Sequence, residues 1–281
     1  MRCELITAPD MIVPAARMMH ALAAAAPVEV KVRLTYHGDC ELLMTYGIGH
    51  AVRRPWFFQH VASGRHAIGW DLGYWNRSGD NRAMRVAIDA DHPQSWLRDE
   101  EQHRFDSYGI PLRDDHDPNG PIVLVGLGPK ANQVLGTEEM TWERAALVRI
   151  RRTYPSADVI FRPKRAGDPR TLPDTRRLAG MPIEEVLAGA SLVVCRHSNV
   201  AIDACIAGIP VACEDGAAAA LYDNDFANPV KPSAEQRRRF LRNLAWWQWT
   251  PQEAAAAWRY LLARLEANAA RQQGEPRRGH A

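Results

Sequence analysis

The sequence predicts an α/β protein of two parallel-sheet domains with a cleft between them. Three observations carry the prediction. Short apolar runs recur along the chain, among them Leu42 to Tyr46, Ile122 to Val125 and Leu192 to Cys195, as strands covered on both faces require. Segments with apolar residues at three- and four-residue spacing lie between them, as helices do. All periodicity is lost from Asp106 to Pro121, where glycine, proline and aspartate gather, and this marks a boundary. A length of 281 residues suits about two domains. We expect residues 1–115 as the first, 121–232 as the second, two helices over 233–270, and a disordered polar tail over 271–281.

Composition excludes several classes. The chain is 46% apolar and 24% charged, ordinary for a soluble protein, and no apolar run approaches the roughly 20 residues of a membrane span. The formal net charge of +2 does not by itself argue for nucleic acid. Cys3, Cys40, Cys195, Cys205 and Cys213 include no Cys-x-x-Cys pair, which fits buried reduced thiols in a cytoplasmic protein better than a metal cluster.

The first half reads as strand Glu4 to Thr7, helix Met11 to Ala26 with Pro14 in its first turn, and strands Val28 to Leu34 and Leu42 to Tyr46. Gly47 and Gly49 follow directly, either as a structural turn or as backbone that approaches a substrate closely. A helix over Phe57 to Ser63 leads to strand His66 to Trp70, which runs into Asp71-Leu72-Gly73-Tyr74-Trp75-Asn76-Arg77. Ligands collect at such strand ends in open α/β sheets. There Asp71 suits a general base on a hydroxyl, and Tyr74 and Trp75 suit stacking, unless the loop folds its aromatics inward. The strand from Met84 ends at Asp89, Asp91 and His92. Asp89 and His92 read as base and orienter or as cation ligands, and Asp91 as the cap of a helix starting at Pro93.

In the second half, strand Ile122 to Val125 enters a turn with Gly126, Gly128 and Lys130 that lacks the Walker spacing. A helix over Thr141 to Tyr154 precedes strand Asp158 to Arg162, whose end carries Arg162, Lys164 and Arg165, either an anion site or a basic solvated loop. A loop covers Thr171 to Gly180, with a short helix over Ile183 to Ala188. Strand Leu192 to Cys195 is followed by His197, Ser198 and Asn199, then by a helix closed by Gly208 and Pro210. Ser198 or Asn199 is a simple N-cap, or the helix start receives a phosphate. Asp203, one turn on, faces a ribose or solvent. Ser233 to Gln236 and Thr250 to Glu253 open the final helices as capping sequences. Parallel topology brings the Lys130 turn, the Arg162 cluster and the Ser198 turn to one sheet edge, where one diphosphate can meet all three without a metal.

The run H-S-N-V-A-I-D-A-C-I-A-G-I-P-V from His197 resembles the nucleotide-binding half of GT-B glycosyltransferases, especially the capsule-polysaccharide and Kdo-transferase-like group. The Gly126 to Lys130 turn and Arg162-Pro163-Lys164 are similar to segments of the same group. The resemblance spans about Pro121 to Ala217, and nucleotide-sugar 2-epimerases share much of it. It implies two Rossmann-like domains, C-terminal helices that cross back, and sugar transfer from a nucleotide-sugar to a hydroxyl with no further cofactor. Donor contacts are then expected from Gly126, Gly128, Lys130, Arg162, Lys164, His197, Ser198, Asn199 and Asp203, with Glu214 or Asp215 near the sugar or ribose. Asp71 is the expected base, ahead of Asp89 and His92, and Gly47, Gly49, Tyr74, Trp75 and Arg77 the acceptor side. A looser resemblance to short phage glycosyltransferase-like proteins adds Arg53 and Arg54 and a hydroxymethylated pyrimidine in double-stranded DNA as an acceptor. A glycan or lipid-linked acceptor, a 2-epimerase and a non-catalytic nucleotide-binding protein are the alternatives.

Overall fold

The computed structural model describes residues 1–79 and 82–274. In chain order the first sheet receives β1 (Arg2–Ile6), β2 (Glu29–Arg33), β3 (Leu42–Tyr46), β4 (His66–Leu72) and β5 (Met84–Ile88). The second receives β6 (Ile122–Val125), β7 (Val159–Arg162), β8 (Arg176–Arg177), β9 (Leu192–Cys195) and β10 (Val211–Cys213). A last strand, β11 (Gln248–Trp249), returns to the first sheet. The orders are β11-β5-β4-β3-β1-β2 and β10-β9-β6-β7-β8. Every pairing in the second sheet is parallel. In the first, β1 to β4 are parallel, whereas β5 runs antiparallel to β4, and β11 antiparallel to β5.

Burial explains the pattern. The strands β3, β6 and β9 are closed in on both faces, hence their unbroken apolar runs. Helix α1 (Val13–Ala24) buries Pro14, Ala15, Met18, Met19 and Leu22, one stripe at helical spacing. After α2 (Arg53–Ala62) and α3 (His103–Asp106) come α4 (Pro129–Leu135), α5 (Thr141–Thr153), α6 (Ile183–Leu187) and α7 (Val200–Ala207). Seven of the eight α7 residues are buried, so α7 is core on nearly every side. One core runs from Leu5, Met44 and Trp70 through to Val193, Ala204 and Leu241, joining the two halves.

Helix α8 (Ala234–Ala245) starts with a full capping box at Ser233 and Gln236, and Thr250 and Glu253 form another. Helix α9 (Ala254–Gly274) packs on α1, where Trp258 Nε1 donates to Leu22 O at 2.8 Å. Residues 271–274 are its last turn rather than tail; residues 275–281 lie outside the described residues.

Some expected elements differ. The turn expected to carry Lys130 ends at Gly128, and Lys130 lies in helix α4. The helix expected from Pro93 is only a 3-10 turn, Gln94–Trp96, and Asp91 does not cap it; its two oxygens take Arg54 at 2.6 and 2.9 Å. The strands β8 and β11, two residues each, carry too little pattern to be read.

Candidate functional site

Asp71 sits at the C-terminal end of β4, directly opposite Arg85 of β5. One Asp71 oxygen accepts from Arg85 Nη2 at 3.1 Å and the other from the Leu72 N–H at 2.8 Å. Arg85 Nη1 donates to His92 Nδ1 at 2.7 Å and to the Asp91 carbonyl at 2.9 Å. Tyr46, at the end of β3, is within electrostatic reach of Asp71; burial first and then that carboxylate raise its phenol. Burial foremost, then Arg85, His197 and Lys164, holds His92 well below the usual histidine range. Arginine can only donate, so His92 Nδ1 is an acceptor and its proton is on Nε2.

On the facing side β9, β6 and β7 are neighbours with their C-terminal ends at one edge. The Gly126 to Gly128 turn is braced from beneath: buried Glu143 accepts the Leu127 N–H at 2.8 Å, and Arg170 donates to the Leu127 carbonyl at 2.6 Å. Gly126 lies against the Phe161 ring, which a Cβ would approach to 3.0 Å, and a Cβ on Gly128 would come within 3.3 Å of Lys164. Lys164 is open to water yet surrounded by protein atoms, as a side chain in a concave site is. Burial first, with Arg85 and Arg77 adding to it, lowers its ammonium, while Asp71 opposes. Arg162 is likewise lowered by burial and Arg77, and its Nη2 reaches the Met181 carbonyl at 3.2 Å. Burial and then Lys164 bring His197 down to about 4, so it is neutral at pH 7.

Contacts across the cleft connect the halves. Arg77 pairs with Asp203 of α7, Asn199 Nδ2 donates to the Gly73 carbonyl at 3.3 Å, and Gln94 Nε2 to Asp215 at 3.2 Å. Asp71, Arg85, His92 and Arg77 from the first half thereby meet Lys164, Arg162, His197 and Asp203 from the second. Four cations there face two carboxylates, with both histidines neutral, so the cluster favours an anion.

Other expected site residues stand elsewhere. Asp89 is held at the opposite edge of the sheet, accepting the Ala67 N–H and pairing with His66 Nδ1, both at 2.7 Å. Because β5 is antiparallel, its C-terminal end lies beside the start of β4, and Asp89 cannot serve as base or cation ligand in the cleft. Tyr74 and Trp75 are buried, the latter edge-on to Phe105 and Tyr108, and offer no face for stacking. The loop has folded its aromatics inward. Gly47 has its N–H on the Trp70 carbonyl at 2.7 Å, its φ of 75° making it a structural turn. Gly49 has open space where a Cβ would stand. Lys130 is exposed in the first turn of α4 and acts electrostatically on His50 of the first half.

Ser198 Oγ receives the Val200 N–H at 3.3 Å, and the N–H groups of Ala201 and Ile202 turn back to the carbonyls of Ser198 and Asn199. The start of α7 therefore keeps few free donors, and the anion preference rests on side-chain cations. Glu214 is taken by Trp142 Nε1 at 2.7 Å and Arg196 at 3.5 Å. Sequence reasoning missed Arg85, Tyr46 and Gln94. A lone arginine inside the apolar run Met84 to Ile88 was the available signal for Arg85.

Among the described residues no group of three or more His, Cys, Asp or Glu could hold a metal ion, all five cysteines are buried and free, and no helix is long and apolar enough to cross a membrane. A groove of about 540 Å³ lies between the Gln94 turn and α8. Its lining side chains Gln94, Arg98, Asp99, Gln236, Arg239 and Asn243 are all bonded within the protein.

No family model matches the sequence, and no curated protein does. Among solved structures the chain is similar to Thermosulfurimonas dismutans KpsC as a β-Kdo 2,7-transferase, at 14% identity and a TM-score of 0.54, covering 93% of this chain and 99% of that one. It is also similar to Thermosulfurimonas dismutans KpsC as a β-Kdo 2,4-transferase, at 10% identity and a TM-score of 0.52, covering 85% and 89%. At these identities the likeness is one of fold. The chain has the GT-B architecture, two Rossmann-like α/β domains.

Proposed function

We propose that the chain is a glycosyltransferase that moves a sugar from a nucleotide-sugar donor to a hydroxyl in the cleft. The observation that carries the reading is the meeting of Lys164, from the second sheet, with Asp71 and Arg85 of the first. A phosphate-suited cation of one half and a carboxylate with spare lone pairs of the other then lie within electrostatic reach of each other. Each Asp71 oxygen accepts a single hydrogen bond, so further acceptor capacity is available.

In the reaction the bond from the anomeric carbon to the phosphate oxygen breaks, and its electron pair stays on the leaving phosphate. Lys164 and Arg162 neutralise that charge, the role a divalent metal can fill in other transferases. The acceptor oxygen bonds to the anomeric carbon and gives its proton to Asp71. Neutral His197 can donate to the phosphate or the sugar. The two KpsC structures are named as Kdo transferases, which agrees with sugar transfer without fixing the sugar.

The acceptor is read only as a hydroxyl. The features that suggested DNA are engaged internally: Arg53 with Asp10, Arg54 with Asp91, Arg77 with Asp203, and Tyr74 and Trp75 in the core.

A thermal-shift screen of nucleotides and nucleotide-sugars, followed by product analysis with glycan and duplex DNA acceptors, tests the reading. Acceptor-dependent release of the nucleotide is the expected outcome. An isomerised sugar formed from donor alone would make the chain an epimerase, and binding without consumption would make it a sensor.

A further inference from the structure

We infer that Arg77, from the first half, is a ligand of the donor phosphate, and that Asp203 is the carboxylate which positions Arg77 and which the phosphate displaces. The inference rests on the transferase reading for the identity of the anion. Sequence position alone put Arg77 on the acceptor side.

Three observations support the assignment. Arg77 reaches across the cleft to Asp203 and, among the described residues, makes one side-chain hydrogen bond with the five N–H groups a guanidinium carries. It also stands within electrostatic reach of both Arg162 and Lys164, each of which it lowers. Arg77 and Arg162 thus converge on Asp203, with Lys164 within reach of Arg77. Finally, the cluster is incompletely satisfied: Asp203 Oδ2 and Arg162 Nε are both buried without a hydrogen-bond partner among the described residues. Burial raises the Asp203 carboxyl, and its neighbour Glu184 adds to that against the pull of Arg77 and Arg162.

A phosphate dianion suits this arrangement better than Asp203 does. It brings more acceptor oxygens and more charge, and guanidinium forks bind such groups at two points. Once phosphate binds, Asp203 becomes a like charge beside it. Donor binding then draws Arg77 from Asp203 onto the leaving group. A purely structural Arg77–Asp203 bridge would behave differently, because removing either partner would loosen the cleft in the same way.

The test is calorimetric titration of inorganic pyrophosphate into the full chain and into Arg77→Ala, Arg77→Lys and Asp203→Asn, with thermal melts to confirm folding. Loss of a charge-assisted contact should weaken binding in Arg77→Ala by about tenfold or more, with Arg77→Lys between it and wild type. Asp203→Asn should tighten it. The opposite signs are the signature. Unchanged affinity in Arg77→Ala, weakening in both Arg77→Ala and Asp203→Asn, or no binding by wild type would overturn the assignment. Should Arg77→Ala not fold, Arg77→Lys against Asp203→Asn reads the same signs. If wild type transfers sugar while Arg77→Ala keeps full pyrophosphate affinity, this assignment fails alone. If the signs are opposite but no nucleotide-sugar is consumed, the transferase reading fails and the phosphate site stands.

Discussion

Arg85 Nη1 stands 2.7 Å from His92 Nδ1, and this contact fixes the chemistry of the first-half wall. Burial foremost, and then the permanently charged donor on Nδ1, keep His92 neutral and leave its Nε2–H to donate. His92 is therefore a donor in the cleft at neutral pH, and Asp71, on the same guanidinium, is the group that can accept a proton.

Acid should destabilise the closed cleft. His92 and His197 both have folded-state values below the ordinary 6.5, so the unfolded chain binds the extra protons. Their contribution is present above pH 6.5 and is lost as pH falls towards about 4, the His197 value. His66, raised by Asp89, works in the opposite sense, its contribution fading as pH rises through its elevated value. The melting temperature should fall between pH 6.5 and 4, and His197→Asn should flatten that slope.

Replacing the base should separate binding from turnover. Asp71→Asn keeps the shape at the end of β4 but cannot take a proton, so kcat should drop by about 10² to 10⁴. Nucleotide affinity, measured by calorimetry, should stay within a few-fold of wild type.

Glu143 should matter without touching the donor. Glu143→Ala leaves the Leu127 N–H without its buried partner, costing about 1–3 kcal/mol, while Arg170 keeps its pairing with Asp168. Glu143→Gln keeps an oxygen for Leu127 and should recover part of that loss. Urea midpoints report the stability, and weaker nucleotide binding in Glu143→Ala would report the displaced Gly126 to Gly128 turn.

Gln248 locks the loop that carries Arg77. Its Oε1 accepts the N–H groups of Tyr74 at 2.7 Å and Trp75 at 3.4 Å, and its side chain is fully buried. Gln248→Leu should destabilise the fold by about 1–3 kcal/mol in denaturant titrations, since the Tyr74 N–H loses its short bond in a dry site. Gly73→Ala should act on the same loop, because its Cβ would meet the Ala83 carbonyl oxygen at 2.5 Å.

Local pattern revealed much of the architecture. The β3, β6 and β9 runs agree with the structure to the residue because both faces of each are buried, and Ser233 announced its capping box and Thr250 its cap. The direction of β5 was not legible, since alternation is the same whichever way a strand runs, and the placing of Asp89 went wrong with it. Burial of Tyr74 and Trp75 depends on Gln248, more than 170 residues away, and the Arg77 pairing depends on Asp203 in the other half. Such contacts leave no trace in spacing. The cationic ends of β7 and β9 were visible because a lysine or histidine beside a buried strand interrupts an otherwise apolar run.

The most direct test is a crystal structure of the full chain with a bound nucleotide identified in the thermal-shift screen. The account predicts phosphate within hydrogen-bond distance of Lys164 and Arg162, with the sugar side of the nucleotide directed towards Asp71. Phosphate bound away from both cations, for example in the groove beside α8, would contradict it.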